Sequence, residues 1–117
     1  MFDPERYAAG IRKANERESR VIENSIVAAR REAERLAAEI GREVGAERVL
    51  LFGSLAESTV RSADFDIDLC IDGGDVERAI RIAEESPFRV DVVSYRSLPA
   101  HVKRRVDESG ILLFRRA

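Results

Sequence analysis

Leu-Leu-Phe-Gly-Ser at residues 50–54 and, after eleven intervening residues, Asp-Ile-Asp-Leu-Cys-Ile-Asp at 66–72 form the stretch whose reading decides the fold. An apolar run ends in Gly53-Ser54. A polar link follows, and then a second apolar run opens with carboxylates at alternate positions, Asp64, Asp66 and Asp68. Alternation of period two belongs to a β-strand. Such a strand puts Asp66 and Asp68 on one face and Ile67, Leu69 and Ile71 on the other. Adjacent like charges repel unless something neutralises them. A divalent cation bridging to a phosphate would do so, and a Gly-Ser turn nearby would hold that phosphate: glycine allows close backbone approach and the serine hydroxyl donates. The competing reading is an ordinary solvated strand face. Asp is depleted in strands, which argues against it.

The flanking sequence supplies the elements around this stretch. Residues 4–44 are helical in character, with Asp3 as cap and Pro4 in the first turn. Apolar residues at Ile22, Ile26, Ala29, Ala33, Leu36 and Ile40 step alternately by four and three, a heptad seam. The other faces interleave Arg and Glu. Residues 14–20 lack the stripe, so the helix either breaks there or projects as one rod. Gly45 is a helix stop. Arg48–Phe52 reads as a buried strand, 54–60 as a short helix, 66–72 as a strand, 76–85 as a helix capped by Asp75, and 88–94 as a third strand containing Asp91. A helix opening at Leu98-Pro99 runs to Ser109, and 111–114 closes as a short strand. The order α-β-α-β-α-β-α-β predicts an α/β (α+β) fold: a small mixed sheet of four strands packed with helices and preceded by a long N-terminal helix. The expected division is an N-terminal helical extension, 1–44, and a domain at 45–117.

Asp91 sits in Val-Asp-Val-Val, another acid embedded in an apolar strand. If this strand neighbours the second, Asp91 joins the same site; otherwise it pairs with Arg89 or Arg96. Three carboxylates at one place suit two-metal phosphoryl or nucleotidyl transfer.

Composition bounds the alternatives. The chain has 117 residues, 20 Lys and Arg against 22 Asp and Glu, and a net charge of -2. That balance gives no support to nucleic-acid binding through bulk charge. Cys70 is the single cysteine, which excludes an internal disulfide, and its apolar surroundings mark it as a small buried hydrophobe. No segment approaches the roughly 20 apolar residues of a membrane span. The N-terminal residues do not read as a signal peptide, so a cytoplasmic location is expected. His101 is the only histidine and reads as surface. Arg61 and Arg96 are candidates for phosphate contact, Lys103, Arg104 and Arg105 read as the wet face of a helix, and Tyr95 reads either as a cover for the site or as core packing.

Taken together, Gly53, Ser54, Asp66, Asp68 and Asp91 match in order a motif of the minimal nucleotidyltransferases of the DNA polymerase β superfamily, which residues 44–117 resemble. The tail Val-Asp-Val-Val-Ser-Tyr-Arg-Ser-Leu-Pro and the later Glu-Ser-Gly-Ile-Leu-Leu-Phe add to that resemblance. One departure stands out. The eleven residues between Ser54 and Asp66 exceed the family's spacer by one, whereas pairing Asp64 with Asp66 leaves nine, one fewer. Asp66 and Asp68 are preferred, with Asp64 as the substitute, because apolar residues continue to Ile71 in the right phase. The resemblance implies that Gly53 and Ser54 hold the β- and γ-phosphates of a nucleoside triphosphate. It assigns Asp66, Asp68 and Asp91 as catalytic residues and Mg²⁺ ligands, with ATP as substrate. It further implies an antitoxin that transfers AMP to a tyrosine of a HEPN-domain toxin. Two alternatives are a non-catalytic module that neutralises a partner by contact, and a small-molecule nucleotidyltransferase working as a dimer. The heptad seam could be covered by the chain's own sheet, by a second copy in a homo-oligomer, or by a helical partner.

Overall fold

A computed structural model describes all 117 residues. Helix α1 (Pro4–Val44) begins where Asp3 accepts hydrogen bonds from the Glu5 and Arg6 amides, and ends at Gly45, whose φ of 73° is left-handed. It does not break at 14–20. The Ala, Glu and Arg of that segment are good helix formers and carry it through without a packed stripe. The sheet comprises β1 (Arg48–Phe52), β2 (Ile67–Asp72), β3 (Val90–Ser94) and β4 (Ile111–Arg115) in the order β3-β2-β1-β4. β1 is antiparallel to both β2 and β4, and β2 is parallel to β3, with α3 (Val76–Glu84) supplying the connection a parallel pair requires. A five-residue helix α2 (Gly53–Glu57) follows β1 directly, a 3₁₀ turn (Tyr95–Ser97) follows β3, and α4 (Ala100–Ser109) precedes β4.

The expected order of elements holds, and three of the boundary differences bear on the site. Helix α2 stops at Glu57 rather than at residue 60, because Ser58 takes a left-handed conformation. β2 starts at Ile67, where the Ile67 amide donates to the Arg89 carbonyl, so Asp66 stands one residue outside the strand. β3 starts at Val90 rather than at residue 88.

Two apolar layers flank the sheet. On one face Val49, Leu51, Ile67, Leu69, Ile71 and Val92 pack against Ala29, Ala33, Leu36, Ala37 and Ile40 of α1 and Ala79 and Ala83 of α3. On the other, Leu50 and Cys70 are buried with Val106 of α4. The seam of α1 is thus covered by the chain's own sheet, but only in its C-terminal part. Residues 10–21 are exposed throughout, including Ile11 and Val21, and the longest dimension reaches 66 Å against 30 and 22 Å in the other directions. No helix is long and apolar enough to cross a membrane.

The two halves of α1 should therefore respond differently to truncation. Leu36→Ala, at a fully buried position, is expected to cost about 2–5 kcal/mol. Val21→Ala, at an exposed one, should change stability by less than about 0.5 kcal/mol. Chemical denaturation of both variants measures the contrast.

Candidate active site

The end of β1 is where chemistry-bearing residues gather. At Gly53 the chain turns into α2 with φ of 76°, a conformation that side-chain-bearing residues rarely adopt. A second constraint acts on the same residue: a Cβ there would overlap the Asp68 carboxylate. The backbone at Gly53 therefore lies directly against Oδ2 of Asp68. Helix α2 is held from behind, since the Arg30 guanidinium of α1 donates to the Leu55 carbonyl at 3.1 Å and to the Ser58 hydroxyl at 3.2 Å. Leu55 is buried in the main core.

Strand register completes the arrangement. Phe52 faces Asp68 across the β1–β2 ladder, and Asp68 faces Asp91 across the β2–β3 ladder. Because Ile67, Leu69 and Ile71 are buried under α1 and α3, Asp68 must point to the opposite face. Asp91 does the same, because Val90 and Val92 pack into the α1 side. The two carboxylates stand side by side on adjacent strands, next to Gly53.

Electrostatics separates Asp68 from Asp72, two residues of one strand on one face. Asp72 receives Arg48 at 2.9 Å and Arg96 at 3.3 Å, and the Arg48 hydrogen bond in particular lowers its pKa. Asp68 has no cationic partner. Burial, and then the charges of Asp91 and Asp66, push its pKa up to about 6. Asp91 likewise makes no ion pair: Arg89 and Arg96, its possible partners by sequence, are engaged elsewhere. Arg89 lies on Asp66 at 3.0 Å and also on Asp64. Asp66 is therefore near enough to raise the Asp68 pKa, yet its carboxylate is turned to an arginine. As the side chains stand, no three acidic, imidazole or thiol groups surround a common metal position. Asp68 and Asp91 nonetheless offer unpaired, hard oxygen donors side by side, which is chemistry that Mg²⁺ accepts.

Several sequence candidates fall elsewhere. Arg96 belongs to the Asp72 cluster. Tyr95 lies at the same end of the sheet, its hydroxyl donating to Asp107 at 2.9 Å and its ring under Arg48 at 4.6 Å. Cys70 is fully buried, and burial raises its thiol pKa to about 11. Arg61 is exposed in the link after α2. His101 is exposed, as its sequence position suggested, and Arg105 is exposed on α4; both also line a cavity with Gly53 and Ser54. Their i,i+4 spacing, continued by Ser109, was the available signal; it marks one stripe of α4 and does not say what the stripe faces.

No protein-family model and no curated protein sequence matches the chain. Solved structures do. A chain from the crystal structure of a toxin–antitoxin with AMP-PNP superposes with a TM-score of 0.58 at 24 % identity, covering 71 % of this chain and 73 % of that one. A chain from a mutant toxin–antitoxin MntA-HpeT, carrying two aspartate-to-glutamate changes, gives 0.58 at 22 %, with the same coverage of 71 % and 73 %. A protein of Sulfolobus solfataricus assigned as a nucleotidyltransferase gives 0.50 at 25 %, covering 79 % of this chain and 88 % of that one. The four-stranded mixed sheet with its helices is thus a nucleotidyltransferase fold. Two of the three chains that share this fold come from toxin–antitoxin crystal structures.

The unpaired carboxylate makes a pH prediction for metal-free protein. Folding keeps Asp68 protonated to a higher pH than it would be in the unfolded chain. Its contribution is therefore most favourable below the ordinary carboxylate pKa near 4 and is lost as pH rises through about 6. Asp68→Asn should raise the melting temperature at pH 7.5 in EDTA, and the gain should vanish at pH 4.

Proposed function

We propose that the chain is a Mg²⁺-dependent nucleotidyltransferase that moves AMP from ATP to a hydroxyl of a partner protein, as the antitoxin of a toxin–antitoxin pair. The observation that carries this reading is the Asp68–Asp91 pair, two adjacent carboxylates without a cation beside a glycine that leaves room only for backbone. The nucleotidyltransferase fold and the AMP-PNP of one structural neighbour support it.

In this reading Gly53 and Ser54 hold the phosphates of ATP, and Asp66, Asp68 and Asp91 would hold the metal, Asp66 turning in from Arg89. Bound Mg²⁺ would offset the carboxylate charges and stabilise the charge that develops on the attacking and leaving oxygens. The acceptor hydroxyl oxygen forms a bond to the α-phosphorus. The bond from that phosphorus to the α–β bridging oxygen breaks, and pyrophosphate departs with its electron pair. Asp91, exposed at the edge of the pair, is placed to take the hydroxyl proton. Residues 45–117 carry these groups, while α1 braces α2 through Arg30. The acceptor is assigned to a tyrosine of a HEPN-domain toxin on the motif resemblance and the toxin–antitoxin neighbours together.

The projecting half of α1 favours a second reading, neutralisation by contact alone, because its exposed Ile11 and Val21 offer a surface for a partner. Incubation with α-labelled ATP, Mg²⁺ and the protein encoded by the neighbouring gene separates the two. Catalysis predicts label on the partner, and a loss on the order of 10²–10³-fold or more in Asp68→Asn and Asp91→Asn. Full neutralisation by both variants, without label, would sink the catalytic reading. Arg89→Gln should lower the Mg²⁺ concentration needed for half-maximal transfer, because it removes the cation that competes for Asp66.

A further inference from the structure

The half of α1 that the sheet leaves bare carries a stripe of its own. Tyr7, Ile11, Ala14, Glu18, Val21 and Ser25 step alternately by four and three, the spacing of a two-helix seam. Val21 and Ser25 each lie one residue before Ile22 and Ile26 of the seam that meets the sheet, so the two stripes stand about 100° apart around the helix. Tyr7, Ile11 and Val21 are 61, 44 and 56 % exposed. Packing against the core begins only at Ile26. The bare stripe and the projecting part of α1 therefore coincide, over about 28 Å of helix from Tyr7 to Ser25. Large apolar residues lined up in water mark a surface that another chain covers.

The side-chain order along the stripe says what that chain is. A parallel copy would set Glu18 against Glu18 inside the seam, where like charges repel. An antiparallel copy with its two-fold axis at Glu16 instead pairs Ile11 with Val21, Ala14 with Glu18 and Tyr7 with Ser25, each contact occurring twice by symmetry. Ala14 is small enough to admit the Glu18 carboxylate, and Asn15 beside it is placed to donate its amide to that carboxylate. Charge also runs the right way. Arg6, Arg12 and Lys13 outnumber Glu5 in the first part of the rod, and Glu16, Glu18 and Glu23 outnumber Arg17 and Arg20 in the second, so an antiparallel copy brings unlike ends together. Arg17 meets its own copy only at the wet rim, where a single charge pair weighs little. We infer that the projecting half of α1 pairs with a second copy of this chain as an antiparallel two-helix dimer, with the two sheets at opposite ends of the pair. This pairing does not depend on the nucleotidyl-transfer reading.

Sedimentation equilibrium of the full chain across the micromolar range tests the pairing, because it reads mass and not shape. The mass should rise with concentration from 13.1 kDa to twice that value. At dilution the monomer dominates and Val21 carries little stability; its weight appears as association sets in. Ile11→Glu and Val21→Glu, at positions exposed in the single chain, should each weaken association about tenfold or more with unchanged circular dichroism. Cross-linking reads the orientation. Cys70 is buried, so the thiols introduced by Ile11→Cys and Val21→Cys are the reactive ones, and a mixture of these two variants should form disulfide dimers faster than either variant alone. A chain that stays monomeric throughout, a dimer unaffected by both Glu substitutions, or faster cross-linking of either Cys variant alone overturns the pairing. So does a monomer whose rod is covered only by the protein encoded by the neighbouring gene.

Discussion

Two carboxylates held side by side without a counter-ion repel each other, and an isolated strand pair would turn them apart. Here the core beneath them forbids it. Ile67, Leu69 and Ile71 are fully buried on the α1 side of β2, and Val92 of β3 is nearly so. A one-residue slip of either strand would expose that apolar set to water. At roughly 1.5–3 kcal/mol for each fully buried large side chain, the core outweighs the burial and the carboxylate repulsion that together raise the Asp68 pKa. The register that buries the isoleucines is thus the same register that sets Asp68 against Asp91.

Gly53 translates this constraint into position. Its backbone abuts Asp68, and its positive φ aims the chain into α2. Arg30 then secures the end of α2 from the long helix behind. β1, α2 and β2 meet at one glycine, and any side chain there would displace either the turn or the carboxylate.

What was readable in the sequence follows from the range of the forces involved. β1 was legible to the residue because an apolar run bounded by Glu47 and Gly53 is a local signal, and Asp3, Gly45 and Asp75 mark helix ends through contacts a few residues away. The alternating phase of 66–72 correctly placed Ile67, Leu69 and Ile71 in the core. Asp66 is different: the pattern put it inside the strand, but the ladder begins one residue later and Arg89, from a distant segment, takes its carboxylate. The Glu57–Arg105 contact spans 48 residues, and nothing local to either residue announces it. The heptad seam likewise fixed which face of α1 is apolar without saying how much of it the sheet would cover.

The free half of α1 has a hydrodynamic consequence. A compact domain of this length has a radius of gyration of about 13 Å, whereas this chain has 18.1 Å. The excess comes from the rod that extends beyond the sheet. A molecule of this shape tumbles slowly and elutes early for its mass, so its gel-filtration volume mimics that of a larger particle. Its stoichiometry, alone or with a partner, is therefore properly read from light scattering or mass spectrometry.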